Sequence, residues 1–106
     1  MRKGHIVLVP FPFTDLSANK VRPALILHTD AQDYIVAFIS SLPERKLTFD
    51  VLIKATAQNG LKINSRIKIN KLATLHKGVV LGKLGFADAH TMLKVNAILK
   101  KMFALL

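Results

Sequence analysis

Short apolar or alternating runs fill most of the chain, and turn-forming stretches separate them, a pattern of short strands. The first is "HIVLVPF" at 5–11, in which Pro10 predicts an edge or a bend near the strand's end. A polar loop, "PFTDLSANK", fills 12–20. Further strands are predicted at 21–28 and 34–41, with the turn "TDAQD" between them. After "LPERK", the stretch 47–54 puts Leu47, Phe49, Val51 and Ile53 on one face and Thr48, Asp50 and Lys54 on the other, a half-buried strand. "ATAQNGLKINS" reads as loop or a short helical turn. "RIKIN" at 66–70 alternates again, with Ile67 and Ile69 inward and Arg66, Lys68 and Asn70 outward. "GVVLGKLG" at 78–85 is a last short strand flanked by glycines.

The period changes at the C-terminus. Met92, Val95, Leu99, Met102 and Leu106 recur at spacings of 3, 4, 3 and 4, while Lys94, Lys100 and Lys101 fall elsewhere on the wheel. That predicts an amphipathic helix over about 88–104, with Asp88 as N-cap and the lysines favourable near its C-terminal end. The Met and Leu stripe reads as core packing. A mainly β (α+β) fold follows, a small, strongly bent barrel of five to seven strands closed by a C-terminal helix. The 106 residues hold a single domain, with no room for a second core.

Composition adds charge to this picture. Sixteen Lys and Arg stand against six Asp and Glu, a net of +10. Between Asp50 and Asp88 there is no acidic residue, while Lys54, Lys62, Arg66, Lys68, Lys71, Lys77 and Lys83 fall in that interval. Such a surplus attracts polyanions, and RNA, DNA or an acidic protein could each use the field. There is no cysteine, which fits a reducing compartment. "MRKGHIVLVPFPF" begins with two cations, but Pro10 and Pro12 break its apolar run, so no signal peptide is expected. No segment reaches the roughly 20 apolar residues that cross a bilayer. A soluble, cytoplasmic protein is expected.

Candidate chemistry is sparse. His5, His28, His76 and His90 share no ligand-type spacing and no acidic cluster, so no metal and no cofactor is expected. There is no phosphate-cradling glycine loop and no pair of carboxylates set for acid–base work. His28 and Arg22 share a strand face but stand about 20 Å apart at about 3.3 Å per residue. Arg22 itself is unusual. It precedes Pro23, which restricts the backbone on both sides of their bond, so a permanent cation sits on stiff chain at the mouth of an apolar strand.

"GHIVLVPFPFTDLSANKVRPALIL", "IVAFISS", "INKLATLHKGVVLGKLG" and a closing helix, in that order, resemble the PemK/MazF family of toxin endoribonucleases from type II toxin–antitoxin pairs. The resemblance runs through nearly the whole chain, with "VRPALIL" and "KLATLHK" as its specific blocks. It implies an SH3-like barrel, a homodimer, and metal-independent cleavage of single-stranded RNA, with mRNA as the substrate. It also implies an acidic, largely disordered antitoxin segment covering the RNA groove. On the same basis Arg22 takes the place of the catalytic arginine and Ser40 that of a hydroxyl, usually Thr, at the end of the third strand. The loop 12–20 would line the groove with Phe13, Ser17, Asn19 and Lys20, and Lys71, Thr74, His76 and Lys77 would contact RNA along its wall. Phe11 or Phe13 could stack a base.

The chain also departs from the family's pattern. It has Gly4-His5 where many members have Gly-Asp, its loop after the first strand carries no Glu, and Ala73 and His76 replace an arginine and an aspartate of a later block. The general acid and base are therefore unassigned. His76 is either a proton-transfer group, since an imidazole titrates near neutrality, or a loop residue facing RNA or solvent. Two rival functions share the pattern. One is a toxin of the same fold that binds DNA gyrase without nuclease activity, and the other is a non-catalytic basic RNA-binding module.

Overall fold

The structure, a computed structural model, describes residues 1–11, 20–41 and 48–106. Six strands and a helix follow one another as β1 (His5–Phe11), β2 (Lys20–Thr29), β3 (Asp33–Ser40), β4 (Asp50–Ile53), β5 (Ser65–His76), β6 (Gly82–Phe86) and α1 (Ala89–Met102). All neighbours are antiparallel, in the order β4-β5-β3-β2-β1-β6. The sheet curls into a half-barrel closed by one C-terminal helix, which agrees with the strongly bent, mainly β fold expected.

Curvature comes from irregular pairing. The register shifts between Ile26 and His28 on β2, between Ala37 and Phe38 on β3, and between Ile6 and Val7 on β1. Each extra residue bends its strand and raises the local twist, which rolls a flat sheet into a barrel wall. The largest shift is on β5, where Leu72 pairs with Ala37 but Lys68 pairs with Phe38, leaving Ile69 to Lys71 as the inserted stretch. Inserting an odd number of residues reverses which face each later residue occupies. Ile67 and Ile69 pack in the cluster beneath α1, whereas Ala73 and Leu75 pack on the opposite face. This explains why the sequence pattern stopped at Asn70 although the strand continues to His76. The alternation changes phase there.

Both faces of the sheet are buried over its middle. On one, Ile6, Leu25, Ile39, Val51, Ile67 and Ile69 gather around Val95 of α1, with Met92, Leu99 and Met102 packed beside them. Four of the five residues in the helical stripe are thus core, and Leu106 lies beyond the helix, exposed. Asp88 caps the helix by accepting a 2.7 Å hydrogen bond from the Thr91 N–H. On the other face Val7, Val9, Ala24, Ile26 and Val36 form a second buried cluster. The loop between β4 and β5 closes the barrel against β6, where the Phe86 N–H donates to the Gln58 carbonyl at 3.0 Å. Gly60, at φ +72°, and Gly85 are required there because a Cβ on either would run into the backbone of the other segment.

Two strands start three or more residues later than the sequence pattern predicts. Thr48 and Phe49 form a turn, so β4 starts at Asp50. Residues 77–79 form a single 3-10 turn, capped by His76, whose Nδ1 accepts from the Gly78 N–H at 3.0 Å. That turn removes the first residues of the expected last strand from the sheet, and β6 begins at Gly82.

Candidate functional site

Arg22 and Ser40 lie far apart in sequence, and strand pairing brings them together. Ala24 pairs with Phe38 across β2 and β3. The paired positions of β2 and β3 end there, and Arg22 and Ser40 each lie two residues farther along their strands, on the same face as Ala24 and Phe38. That face carries the second buried cluster, and at this end of it Arg22 pairs with Val9 on β1. Arg22 is exposed, and no ion pair or side-chain hydrogen bond holds its guanidinium among the described residues. Asp50 binds Lys68 at 3.1 Å, and Asp15, which a surface ion pair with Arg22 would also involve, lies outside the described residues.

The Cα partner of Ser40 on β5 is Arg66, which in turn pairs with Leu52 of β4. Ser40 therefore has Arg66 beside it on β5 and Arg22 on the neighbouring β2, all three on one face of the sheet. Arg66 is half-buried, and its Nη1 is shielded from water with no hydrogen-bond partner among the described residues. Lys20 lies two residues before Arg22 on the same strand face, about 7 Å away. It is exposed as well. Beside Arg22 a cleft of about 430 Å³ opens at the barrel mouth between Val21, Pro23, Leu61 and Leu84.

The other sequence-predicted residues fall into two groups. Phe13, Ser17 and Asn19 lie outside the described residues, as does the side chain of Phe11. Lys71, exposed, belongs to the inserted stretch of β5 next to the Phe38 rung. Thr74 and His76 pair with Ile35 and Asp33 at the far end of β3. Five and seven residues of strand separate those partners from Ser40, about 17 and 23 Å. Lys77 is farther still and places its Nζ 5.2 Å above the Tyr34 ring. The structure thus collects Arg22, Ser40 and Lys20 in one neighbourhood, with Lys71 on its flank. It puts Thr74, His76 and Lys77 in another.

The histidines are dispersed. His28 pairs with Asp30 at 3.3 Å. The Asp30 carboxylate is held below its usual range by hydrogen bonds from the backbone of Asp33 and then of Gln32. His5 accepts from the Arg2 N–H at 3.0 Å, and burial, followed by the nearby charges of Lys83, the N-terminus and Arg2, lowers its pKa. Among the described residues no three His, Asp or Glu side chains converge. Sequence reasoning missed Arg66, which was one of seven cations in an acid-free interval. Its only distinguishing signal is its register opposite Ser40, which a sequence does not display.

A family model described as PemK-like, MazF-like toxin of type II toxin-antitoxin system matches residues 2–103. A search of curated proteins finds no match. Among solved structures, the chain is similar to an endoribonuclease in complex with its cognate antitoxin from a mycobacterial species, at 18% identity, TM-score 0.78, and coverage of 100% of this chain and 97% of that one. It is also similar to the Mycobacterium tuberculosis toxin MazF-mt6, at 22% identity, TM-score 0.76, and coverage of 95% and 97%. A chain of the MazE-MazF crystal structure from Deinococcus radiodurans matches at 17% identity with TM-score 0.79, covering 100% and 97%. At these identities the structural likeness speaks for the fold.

Proposed function

The chain belongs to the PemK-like, MazF-like toxin family of type II toxin–antitoxin systems, and from that premise we propose that it is an endoribonuclease that cuts single-stranded RNA, mRNA in the cell, without a metal ion. The observation that carries this reading is the placement of Arg22 and Ser40 on one face of neighbouring strands, an exposed guanidinium with no ion pair among the described residues beside a hydroxyl.

The chemistry such a pair serves is attack by the ribose 2′-oxygen on the adjacent phosphorus. The 2′-hydroxyl gives up its proton as the new P–O bond forms. The 5′-oxygen of the next nucleotide leaves with the old bond's electron pair and takes a proton. Between these events phosphorus carries five oxygens and an extra negative charge. A planar, permanently charged guanidinium matches two phosphate oxygens, and Pro23 stiffens the backbone beneath it. The Ser40 hydroxyl donates to a further oxygen, and such preorganised donors act where charge develops. Products are a 2′,3′-cyclic phosphate and a 5′-hydroxyl. Lys20, Phe13, Ser17 and Asn19 line the RNA path beside this pair, and Lys71, Thr74, His76 and Lys77 contact the strand farther along. The protein acts as a single-domain, cytoplasmic homodimer, held in check by a cognate acidic antitoxin to which its net charge of +10 is complementary.

Incubating purified protein with end-labelled single-stranded RNA in EDTA tests this reading. Cleavage leaving cyclic-phosphate ends is expected, and RNA with 2′-O-methyl at the cut site should survive. RNA bound but intact would favour a non-catalytic binding module. Neither binding nor cleavage would favour a protein target such as gyrase.

A further inference from the structure

We propose that Arg66 is a second phosphate-binding cation of the same site, gripping the phosphodiester at Ser40 from the side opposite Arg22; this rests on the nuclease reading above. Three observations converge. Ser40 and Arg66 are Cα partners, so their side chains leave the sheet from one rung on one face. The Arg66 Nη1 is sheltered from water without a hydrogen-bond acceptor among the described residues, although a buried charged donor is costly to leave unmade. And the nearby carboxylate is directed elsewhere: Asp50, on the adjacent rung of β4, binds Lys68 through its Oδ2 at 3.1 Å, and no ion pair among the described residues joins it to Arg66. A guanidinium built into a sheet beside a hydroxyl, with no acid paired to it among the described residues, is complementary to an anion that arrives from outside. The anion that fits between two guanidinia and a hydroxyl is a phosphodiester, which offers each fork its own oxygens. Arg66 is thereby a binding residue in contact with substrate, and the developing negative charge on phosphorus makes it a catalytic one.

The test uses Arg66→Met and Arg66→Lys beside Arg22→Met, all in the full chain. Binding is measured against salt with a single-stranded RNA carrying 2′-deoxyribose at the cut position, and single-turnover cleavage with the all-ribose strand. Arg66→Met should make the log–log salt slope shallower by about 0.7, the single-strand value for one phosphate contact. Its cleavage rate should drop about 10- to 100-fold, and Arg66→Lys should restore the slope but not the rate. A neutral methylphosphonate at the cut position locates the contact. Its binding penalty should be smaller in Arg66→Met than in the wild type, because the two changes remove one interaction. Thermal melting separates function from architecture, since removing an unpartnered donor should leave the melting temperature unchanged or raised. The proposal is overturned if Arg66→Met melts lower while binding and cutting like wild type, or if the methylphosphonate penalty is the same in both proteins. If the wild type cuts no RNA, the nuclease reading fails alone, and the slope and methylphosphonate comparisons still decide whether Arg66 holds a phosphate.

Discussion

Arg66 and Lys68 stand two residues apart on β5 and project from the same face, yet they are opposite kinds of charge. Lys68 reaches Asp50 at 3.1 Å, and the pair is withdrawn from water, with side-chain exposures of 15% and 1%. Arg66, one rung away, has a guanidinium nitrogen that is equally sheltered and has no partner among the described residues. The first charge is closed: its field is cancelled locally and little remains for a ligand. The second is open. On β2, Arg22 and Lys20 are open as well, because no ion pair among the described residues includes them. A net charge of +10 therefore overstates how much of the surface can bind a polyanion and does not say where. Subtracting the paired cations leaves Lys20, Arg22 and Arg66 around Ser40.

The largest effect that can break this comparison lies at Arg22. Arg22→Ala removes an open cation facing the developing phosphorane and should lower the cleavage rate about 10²- to 10³-fold, about 3 to 4 kcal/mol. Arg22→Lys should recover little, since an ammonium does not reproduce the bidentate fork. Ser40→Ala should cost less, and Ser40→Thr should retain activity. The double change Arg22→Ala with Ser40→Ala should lose less than the sum, as groups acting on one phosphate do. Rates of folded variants decide the matter. Full activity in Arg22→Ala would make that cation architecture, as closed in effect as Lys68.

The closed pair predicts the reverse phenotype. Asp50→Ala strands the Lys68 ammonium in a mostly buried position and should destabilise the fold by about 3 kcal/mol, toward the low end for breaking a buried pair because Lys68 retains some contact with water. Replacing both by apolar residues, Asp50→Leu with Lys68→Met, should recover most of that loss. RNA affinity should follow the distinction. If about four phosphates are contacted, the log–log salt slope is near −3. Lys68→Gln should leave that slope unchanged, whereas Lys20→Gln should make it shallower by about 0.7. Equal slopes for the two variants would erase the difference between open and closed charge.

The sequence displays one part of this arrangement and hides another. The apolar runs "HIVLVPF", "VRPALIL" and "YIVAFIS", buried on both faces of the sheet, and the Met92-Val95-Leu99-Met102 stripe are local patterns set by burial, and local patterns survive in a linear string. Arg22 was visible for the same reason, because Pro23 is its immediate neighbour. Which strand lies beside which, and in what register, depends on contacts made only after the chain has folded. Arg66 could not be told from Lys62 or Lys68 until its rung opposite Ser40 was known. The insertion at 69–71 hid the continuation of β5 by reversing its phase, and with it the distance from Ser40 to the "KLATLH" block. The family resemblance implied that His76 lies along the groove wall that Arg22 shares, while the pairing separates them along the length of β3.

That separation yields the smallest predicted effect and a clean way to test the map. Seven residues of strand lie between Ser40 and Asp33, the partner of His76, about 23 Å. Proton transfer needs hydrogen-bond reach, directly or through one water. His76 also has a task where it stands: its Nδ1 accepts the Gly78 N–H and fixes the turn into 77–79, which leaves the neutral ring's proton on Nε2. His76→Ala should therefore cost a modest amount of stability, well below the Asp50 change, and leave the pH dependence of single-turnover cleavage unaltered. A small loss of RNA affinity fits a contact farther along the strand. If instead the variant lost a limb of the pH–rate profile near neutrality, where imidazoles ordinarily titrate, a histidine would be moving a proton at the reacting atoms. The two ends of β5 would then meet in one site, with His76 delivered by a partner protomer, and the division between a catalytic rung and a distant wall would fail.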